Sequence, residues 1–371
     1  MKPVDVLIVG GGPAGLATAI AASRKGLRAE VLDCRTPPID KTCGEGILPS
    51  AIAALGTLGV RIDSLGFPFT SFRFADERSS VSAPISRGGG IGVRRRDLHR
   101  LLIERAEAEG ASLQWGTRIS AIEAGGVWLR GAFRRYLWLI GADGQHSAVR
   151  KFAGLDSRGQ VRRRFGFRQH FGAAPWSDGV EVHWRNGVQL IATPTGFEEI
   201  CVVVLSRDPR MRVERALEQF PEIARRLRGA AALSRETGTT TCLSRARAAV
   251  RGNVALVGDA SCTMDGISGH GLSLAFEEAL ALADALQREN LAEYQAAHVR
   301  ITKLPVRMTK LLLALDSSPG LRRTALRILA RHPRLFSKLI ALHVGSAATP
   351  HRESTGRRRA AALGCGLCEP N

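Results

Sequence analysis

The chain has 371 residues, 44% of them hydrophobic, and a formal net charge of +19 from 53 Lys and Arg against 34 Asp and Glu. That is apolar content enough for a buried core and length enough for two domains. No apolar run reaches the roughly 18 residues of a membrane-spanning helix, and the first apolar stretch is itself a strand candidate, so neither a transmembrane segment nor a secretory leader is expected.

Residues 4–9, Val-Asp-Val-Leu-Ile-Val, read as a short buried parallel strand. Gly10, Gly12 and Gly15 follow in a G-x-G-x-x-G pattern around Pro13 and Ala14. The first glycine permits a tight turn, the second lets backbone approach a pyrophosphate, and the third lets the next helix pack closely on the strand. That helix is predicted from Ala14 to about Lys25, with Gly26 as its stop. Its N-terminal amides would face an anion. A second strand, Ala29–Leu32, ends in Asp33, placed for ribose hydroxyls. These elements in register make a dinucleotide site.

A helix is predicted over 94–109, where Leu98, Leu101, Leu102 and Ala106 approach helical spacing, and strands at 112–115, 118–122, 127–129 and 136–140. Over 155–250 the pattern changes. Arg164–Phe171 alternates; Val180, Val182 and Trp184 share a face opposite Glu181 and His183; 188–193 and 200–205 follow. Short strands separated by turns predict an antiparallel sheet, joined by residues 61–90. Val254-Ala255-Leu256-Val257-Gly258-Asp259-Ala260 stands far downstream as a second signature, and Gly269-His270-Gly271-Leu272 opens a helix to about Gln287. Residues 300–371 hold 14 Lys and Arg against 3 Asp and Glu. Within them, 321–344 interleaves arginine with Leu, Ile and Phe, which fits a packed helix pair or a basic surface lying on anionic lipid. No nucleic-acid motif accompanies the charge, so no nucleic-acid partner is expected. Residues 346–371, with Arg357, Arg358 and Arg359, read as a mobile basic tail. Seven cysteines at irregular spacings point to reduced thiols in a cytosol. Cys365-x-x-Cys368 lacks a second ligand pair, so no metal site is expected.

Together the glycine loop, Gly141-Ala142-Asp143-Gly144 with Ser147, Val149 and Arg150 behind it, Gly258-Asp259, and Gly269-His270-Gly271-Leu272 resemble the FAD-dependent monooxygenases of the p-hydroxybenzoate-hydroxylase fold and the related geranylgeranyl reductases. The likeness covers roughly residues 4–345. It implies an α/β fold: a Rossmann-like FAD-binding domain (1–60, 91–154, 251–290) interleaved with an antiparallel β-sheet substrate domain (61–90, 155–250), then a C-terminal helical region (291–345). It also implies residue roles. Asp143 lies beside FAD in a block tied to nicotinamide binding, Asp259 bonds the ribityl chain, and the amides of Gly269, His270, Gly271 and Leu272 face the flavin N1–C2=O edge. A helix N-terminus suits the negative charge of reduced flavin. Arg95, in Arg95-Arg96-Asp97-Leu98, resembles the arginine that contacts FAD phosphate, with Arg94 and Arg96 as alternatives. Cys43-Gly44-Glu45-Gly46 resembles the loop beside the isoalloxazine ring.

In this family NAD(P)H reduces the flavin, and a C4a-hydroperoxide then hydroxylates or epoxidises an electron-rich substrate. The preferred expectation is therefore such a monooxygenase acting on a lipophilic aromatic, polyketide or terpenoid. A reductase of prenyl double bonds is the alternative, on the strength of the CGEG loop; a basic flavoprotein bound to a membrane surface is the third. No W-x-W-x-I-P motif supports halogenation. Catalytic candidates are weak: Glu45, a base if buried and otherwise a solvated carboxylate or backbone cap, and His270, a flavin contact or proton donor unless its N–H alone matters. His170 and His183 read as structural strand histidines, and Cys43 as a small buried thiol.

Overall fold

In the computed structural model, which describes residues 4–85, 88–157 and 162–345, the strand Val4–Val9 sits inside an eight-stranded sheet. Its parallel neighbours are Ala132–Gly141 on one side and Ala29–Leu32 on the other. Val254–Leu256 extends the sheet beyond the first, and Ser112–Gln114 beyond the second. The chain thus builds outward one way and then returns to build the other. A reversal of this kind opens a crevice at the carboxyl ends of the strands. Val6 and Ile8 face a layer made by the helices Pro13–Arg24, Arg95–Ala108 and Gly271–Gln287. Leu7, between them, joins the opposite layer with Val127, Leu139 and Val149, as the two-residue period of a strand requires.

A second sheet has seven strands in the order Thr237–Thr241, Arg164–Phe171, Glu199–Ser206, Val188–Gly196, Gly179–Arg185, Ser71–Ala75, Ser80–Pro84. The sequence led us to expect an antiparallel sheet throughout. One pair departs from it: Gly179–Arg185 runs parallel to Ser71–Ala75. The latter strand comes from an earlier excursion of the chain, so no hairpin forces it antiparallel. The expected division of faces holds: Val180, Val182 and Trp184 share one apolar cluster, while His183 pairs with Glu181 and lies against Phe220 on the other side, and Gly179 to Trp184 is buried on both. The segment around Met211, Phe220 and Ile223 packs on the back of the sheet against Leu190, Val202 and Val204.

A small sheet of Gly46–Ile47, Phe67–Phe69 and Gly90–Gly92 stands between the two large ones. A Cβ on Gly92 would lie 1.8 Å from the Pro194 carbonyl oxygen, so this junction closes only around glycine. The helices Leu291–Ser317, Pro319–Arg331 and Pro333–Val344 complete the described chain. Their inner side chains Leu312, Leu326, Phe336, Ile340 and Val344 form one apolar cluster with Phe72, Val180 and Val182 of the second sheet. Among the described residues no helix is long and apolar enough to cross a membrane. The predicted tail, with Arg357–Arg359, Cys365 and Cys368, lies outside the described residues.

Candidate active site

The loop after Val4–Val9 shows why its glycines are spaced as they are. A Cβ on Gly15 would meet the Gly10 carbonyl oxygen at 1.8 Å, and one on Gly10 would meet the Ala142 oxygen at 2.4 Å. At Gly12 nothing lies within 4 Å, so that position faces open space. The helix Pro13–Arg24 has no side-chain cap, which leaves its first amides to an incoming anion. Buried Asp33 accepts from the Gly11 and Arg35 amides, each at 2.8 Å, and so ties the second strand to the loop. His99, which the sequence reading passed over, lies 2.8 Å from the Gly11 oxygen through Nε2; burial lowers its pKa and keeps it neutral.

Arg95 is the first residue of its helix and is buried. Its Nε and Nη1 have no hydrogen-bond partner among the described residues. Burial depresses its pKa, against the pull of Cys43, Asp259, Glu45 and Asp40. A cation buried with idle donors is costly unless an anion completes it, and Arg95 lines the same cavity as Gly12.

That cavity, about 760 Å³, runs between the two sheets. Gly10, Gly12, Pro13, Ala14, Asp33, Cys43, Gly44, Arg95, Asp143, Gly258, Asp259, Gly269, Gly271 and Leu272 all line it. Gly15 does not, because it is spent on the contact with Gly10. At the other end the walls are Phe69, Phe72, Phe74, Val180, Val182, Ile191, Val203 and Leu205. A polar cleft therefore opens into an apolar chamber. Asp143 accepts from the Ala148 and Val149 amides at 2.7 and 3.2 Å and caps the short helix there, while its Oδ1 has no partner among the described residues. Asp259 is engaged by Lys41 at 2.6 Å, a partner 218 residues away that the motif did not suggest. Below it, Glu278 accepts from the Gly258 amide at 2.7 Å and from Ser261. Burial pushes the Glu278 carboxyl up to about 8 and His298 down to about 4, so their 3.4 Å approach joins two neutral groups.

His270 needs correcting. Its ring does not line the cavity; Nε2 donates to the His343 carbonyl oxygen at 2.7 Å, and burial keeps the imidazole neutral. Its proton is committed away from the cleft, whereas His343, from the last helix, does reach the cavity.

Glu45 is not a solvated loop carboxylate. It is 2% exposed, holds a backbone φ of 60°, and lines the cavity. Oε1 accepts from Arg168 Nη1 at 2.9 Å and from the Arg95 amide at 3.0 Å; Oε2 lies 2.6 Å from His170 Nε2. Burial works against the Arg168 charge, but Asp40 and Glu45 outweigh it and hold the guanidinium charged. His170 Nδ1 lies 2.8 Å from Ser234 Oγ, which is partly exposed. The Ser234 oxygen also accepts the His170 amide at 3.1 Å, so ring and backbone of His170 are held by the same hydroxyl. His170 is thus part of the site, not only of the strand. Cys201 adjoins this pair closely enough to suggest a metal triad, but Arg168 already balances Glu45, and burial keeps the thiol protonated. His183 stays remote. Burial alone would raise its partner Glu181, but the hydrogen bond from His183 and the charges of Arg226 and Arg73 hold that carboxyl down at about 2.

A family model described as an FAD binding domain matches residues 3–292. Menaquinone reductase of Mycobacterium tuberculosis is 27% identical over 323 residues, 78% of each chain. The 6-methylpretetramide 4-monooxygenase of Streptomyces rimosus is 26% identical over an alignment 401 positions long with gaps counted, covering 92% of each chain. Among solved structures, the flavin-dependent brominase Bmp2 superposes with a TM-score of 0.79 at 18% identity, covering 93% of this chain and 94% of the other. A geranylgeranyl bacteriochlorophyll reductase-like protein of Thermoplasma acidophilum gives 0.70 at 20% identity, covering 93% and 92%. At such identities the structures speak for the fold.

Proposed function

Because the chain belongs to the FAD binding domain family of flavin-dependent oxidoreductases, we propose that it is an NAD(P)H-consuming monooxygenase acting on a lipophilic aromatic, polyketide or terpenoid substrate. The observation that carries the reading is the cavity itself, a polar cleft fitted to a dinucleotide and continuous with an apolar chamber edged by three phenylalanines. The open face of Gly12 and the unpartnered donors of Arg95 suit a pyrophosphate. On this reading Asp33 and Asp259, which line the cavity, would meet ribose and ribityl hydroxyls, and the amides of Gly269 to Leu272 the ring. Bound and reduced, the flavin supplies electrons that activate oxygen for insertion into an electron-rich substrate. The chain's own part is to exclude water, orient the substrate on Phe72 and Phe74, and move a proton. The path for that proton runs from partly exposed Ser234 through His170 to Glu45 Oε2 at the cavity wall. The match to the 6-methylpretetramide 4-monooxygenase along 92% of both chains supports the monooxygenase reading.

A second reading, reduction of a prenyl double bond or quinone substrate, is favoured by the same pair, since saturating a carbon–carbon bond requires a proton as well as a hydride, and by the menaquinone reductase likeness. One experiment separates them. Holoenzyme is given NADPH or NADH with lipophilic aromatics under isotopically labelled dioxygen, and with menaquinone or geranylgeranyl lipids without oxygen. Label in the product supports the monooxygenase. Anaerobic saturation without label overturns it in favour of the reductase.

A further inference from the structure

We infer that the outer face of the last two helices is a docking surface for anionic lipid bilayers. Leu321, Ile328, Leu335 and Leu342 are 44–49% exposed. They stand at seven-residue intervals, so each helix of the pair Pro319–Arg331 and Pro333–Val344 carries two of them on one stripe, two turns apart. Arg327, Arg331, Arg334 and Lys338 are exposed around that stripe. From residue 317 to 344 the sequence has no Asp or Glu at all. Arg323 reaches Glu77 at 3.7 Å; among the described residues no carboxylate comes within ion-pair distance of the other four.

Exposed leucines beside unpaired basic groups have a natural complement in lipid headgroups and the acyl boundary beneath them. A second copy of the chain is a poor occupant, because two uniformly basic faces repel. Residues 346–371 carry four Arg against two Glu and would add to the charge rather than neutralise it. The inner side of the same helices, through Leu326, Phe336 and Ile340, packs against the chamber wall. One helix layer of roughly 10 Å therefore separates the lipid face from the chamber. Lipid docking stands whether the chemistry inside is oxygenation or reduction, because its test needs no turnover.

The test is sedimentation of the full-length holoenzyme with phosphatidylglycerol vesicles and, separately, with phosphatidylcholine vesicles, at low and high salt. Binding to the anionic vesicles alone, weakened by salt, is expected. The double substitutions Ile328→Glu/Leu335→Glu and Arg327→Glu/Arg334→Glu should each lower the partition coefficient by about tenfold or more. FAD content, helicity and elution volume should stay unchanged, because all four side chains are exposed. Absence of binding at low salt overturns the inference. So does binding that both double variants retain, which would put the contact elsewhere. A wild-type dimer that the same substitutions dissociate would assign the face to a second copy instead.

Discussion

Replacing Arg95 with Met distinguishes an arginine that waits for a ligand from one that holds the fold. Arg95 is 9% exposed, with Nε and Nη1 unpartnered among the described residues. In the cofactor-free protein this is a buried charge with idle donors, and exchanging it for an apolar side chain of similar length should leave stability unchanged or raise it. With FAD bound, each charge-assisted hydrogen bond contributes about 1.5–3 kcal/mol. Two such bonds at the lower figure make a loss of about 3 kcal/mol, which is roughly 150-fold in Kd. R95K keeps the charge but loses the planar fork and should fall between wild type and R95M. The assay is titration of stripped protein with FAD, followed by quenching of flavin fluorescence, beside a thermal melt of the same apo samples. An R95M protein that binds FAD within about threefold of wild type, a range that context alone spans, would refute the phosphate role. An apo-R95M melting well below wild type would show that Arg95 serves the fold.

The two glycines should separate in the same way: G15A drives a Cβ to 1.8 Å from the Gly10 oxygen and should unfold or grossly destabilise the protein, while G12A, with nothing within 4 Å, should melt like wild type as apoprotein yet purify without FAD. For Glu278, the native pKa of about 8 lies above the ordinary 4.5, so the folded state keeps a proton that the unfolded chain releases between those values, and its contribution to stability is present below about 4.5 and lost as pH rises toward 8. E278Q should flatten that decline in a series of melts from pH 5 to 9, and an unchanged slope would show that Glu278 is ionised in the fold. E45Q preserves the contact with Arg168 but cannot pass a proton; it should lower kcat by about 10²- to 10⁴-fold and abolish one limb of the pH profile at unchanged FAD content. H170N should do the same, and a loss confined to KM would instead assign the pair to substrate positioning.

What could be read in advance was local. Gly10, Gly12, Gly15 and Asp33 act through a turn and two adjacent strands, and their spacing carries the geometry almost intact. Glu45 shows the opposite. From the sequence it was a loop carboxylate with two readings, because its partners Arg168 and His170 lie 123 and 125 residues away on another sheet. Neither alternation nor propensity reports a contact made only when two sheets face each other. Lys41 escaped notice for the same reason, since its partner Asp259 lies 218 residues further along the chain. The His270 side chain was misjudged because the motif specifies a backbone path, a left-handed Gly269 leading into the helix, and leaves the ring to be placed by the last helix. That both faces of Gly179–Arg185 are covered was not legible, because nothing nearby in sequence announced the layer around Phe220 and Ile223 on its back.

The family pattern ends near residue 292, and this boundary has a physical consequence. Everything that fits the dinucleotide lies before it. The helices after it place Phe336, Ile340 and Val344 against the chamber's sheet and bring His343 to the cavity wall. Changes in that outer wall can alter chamber shape without disturbing Gly12 or Arg95, because the two ends of the cavity rest on different elements. That wall belongs to the segment where this chain also carries exposed Leu321, Ile328, Leu335 and Leu342 beside exposed basic residues. The same two short helices carry the chamber's outer wall and the face proposed for lipid, and a substitution in their inner face, such as Ile340→Ala, should change which substrates are accepted while leaving the affinity for FAD as it was.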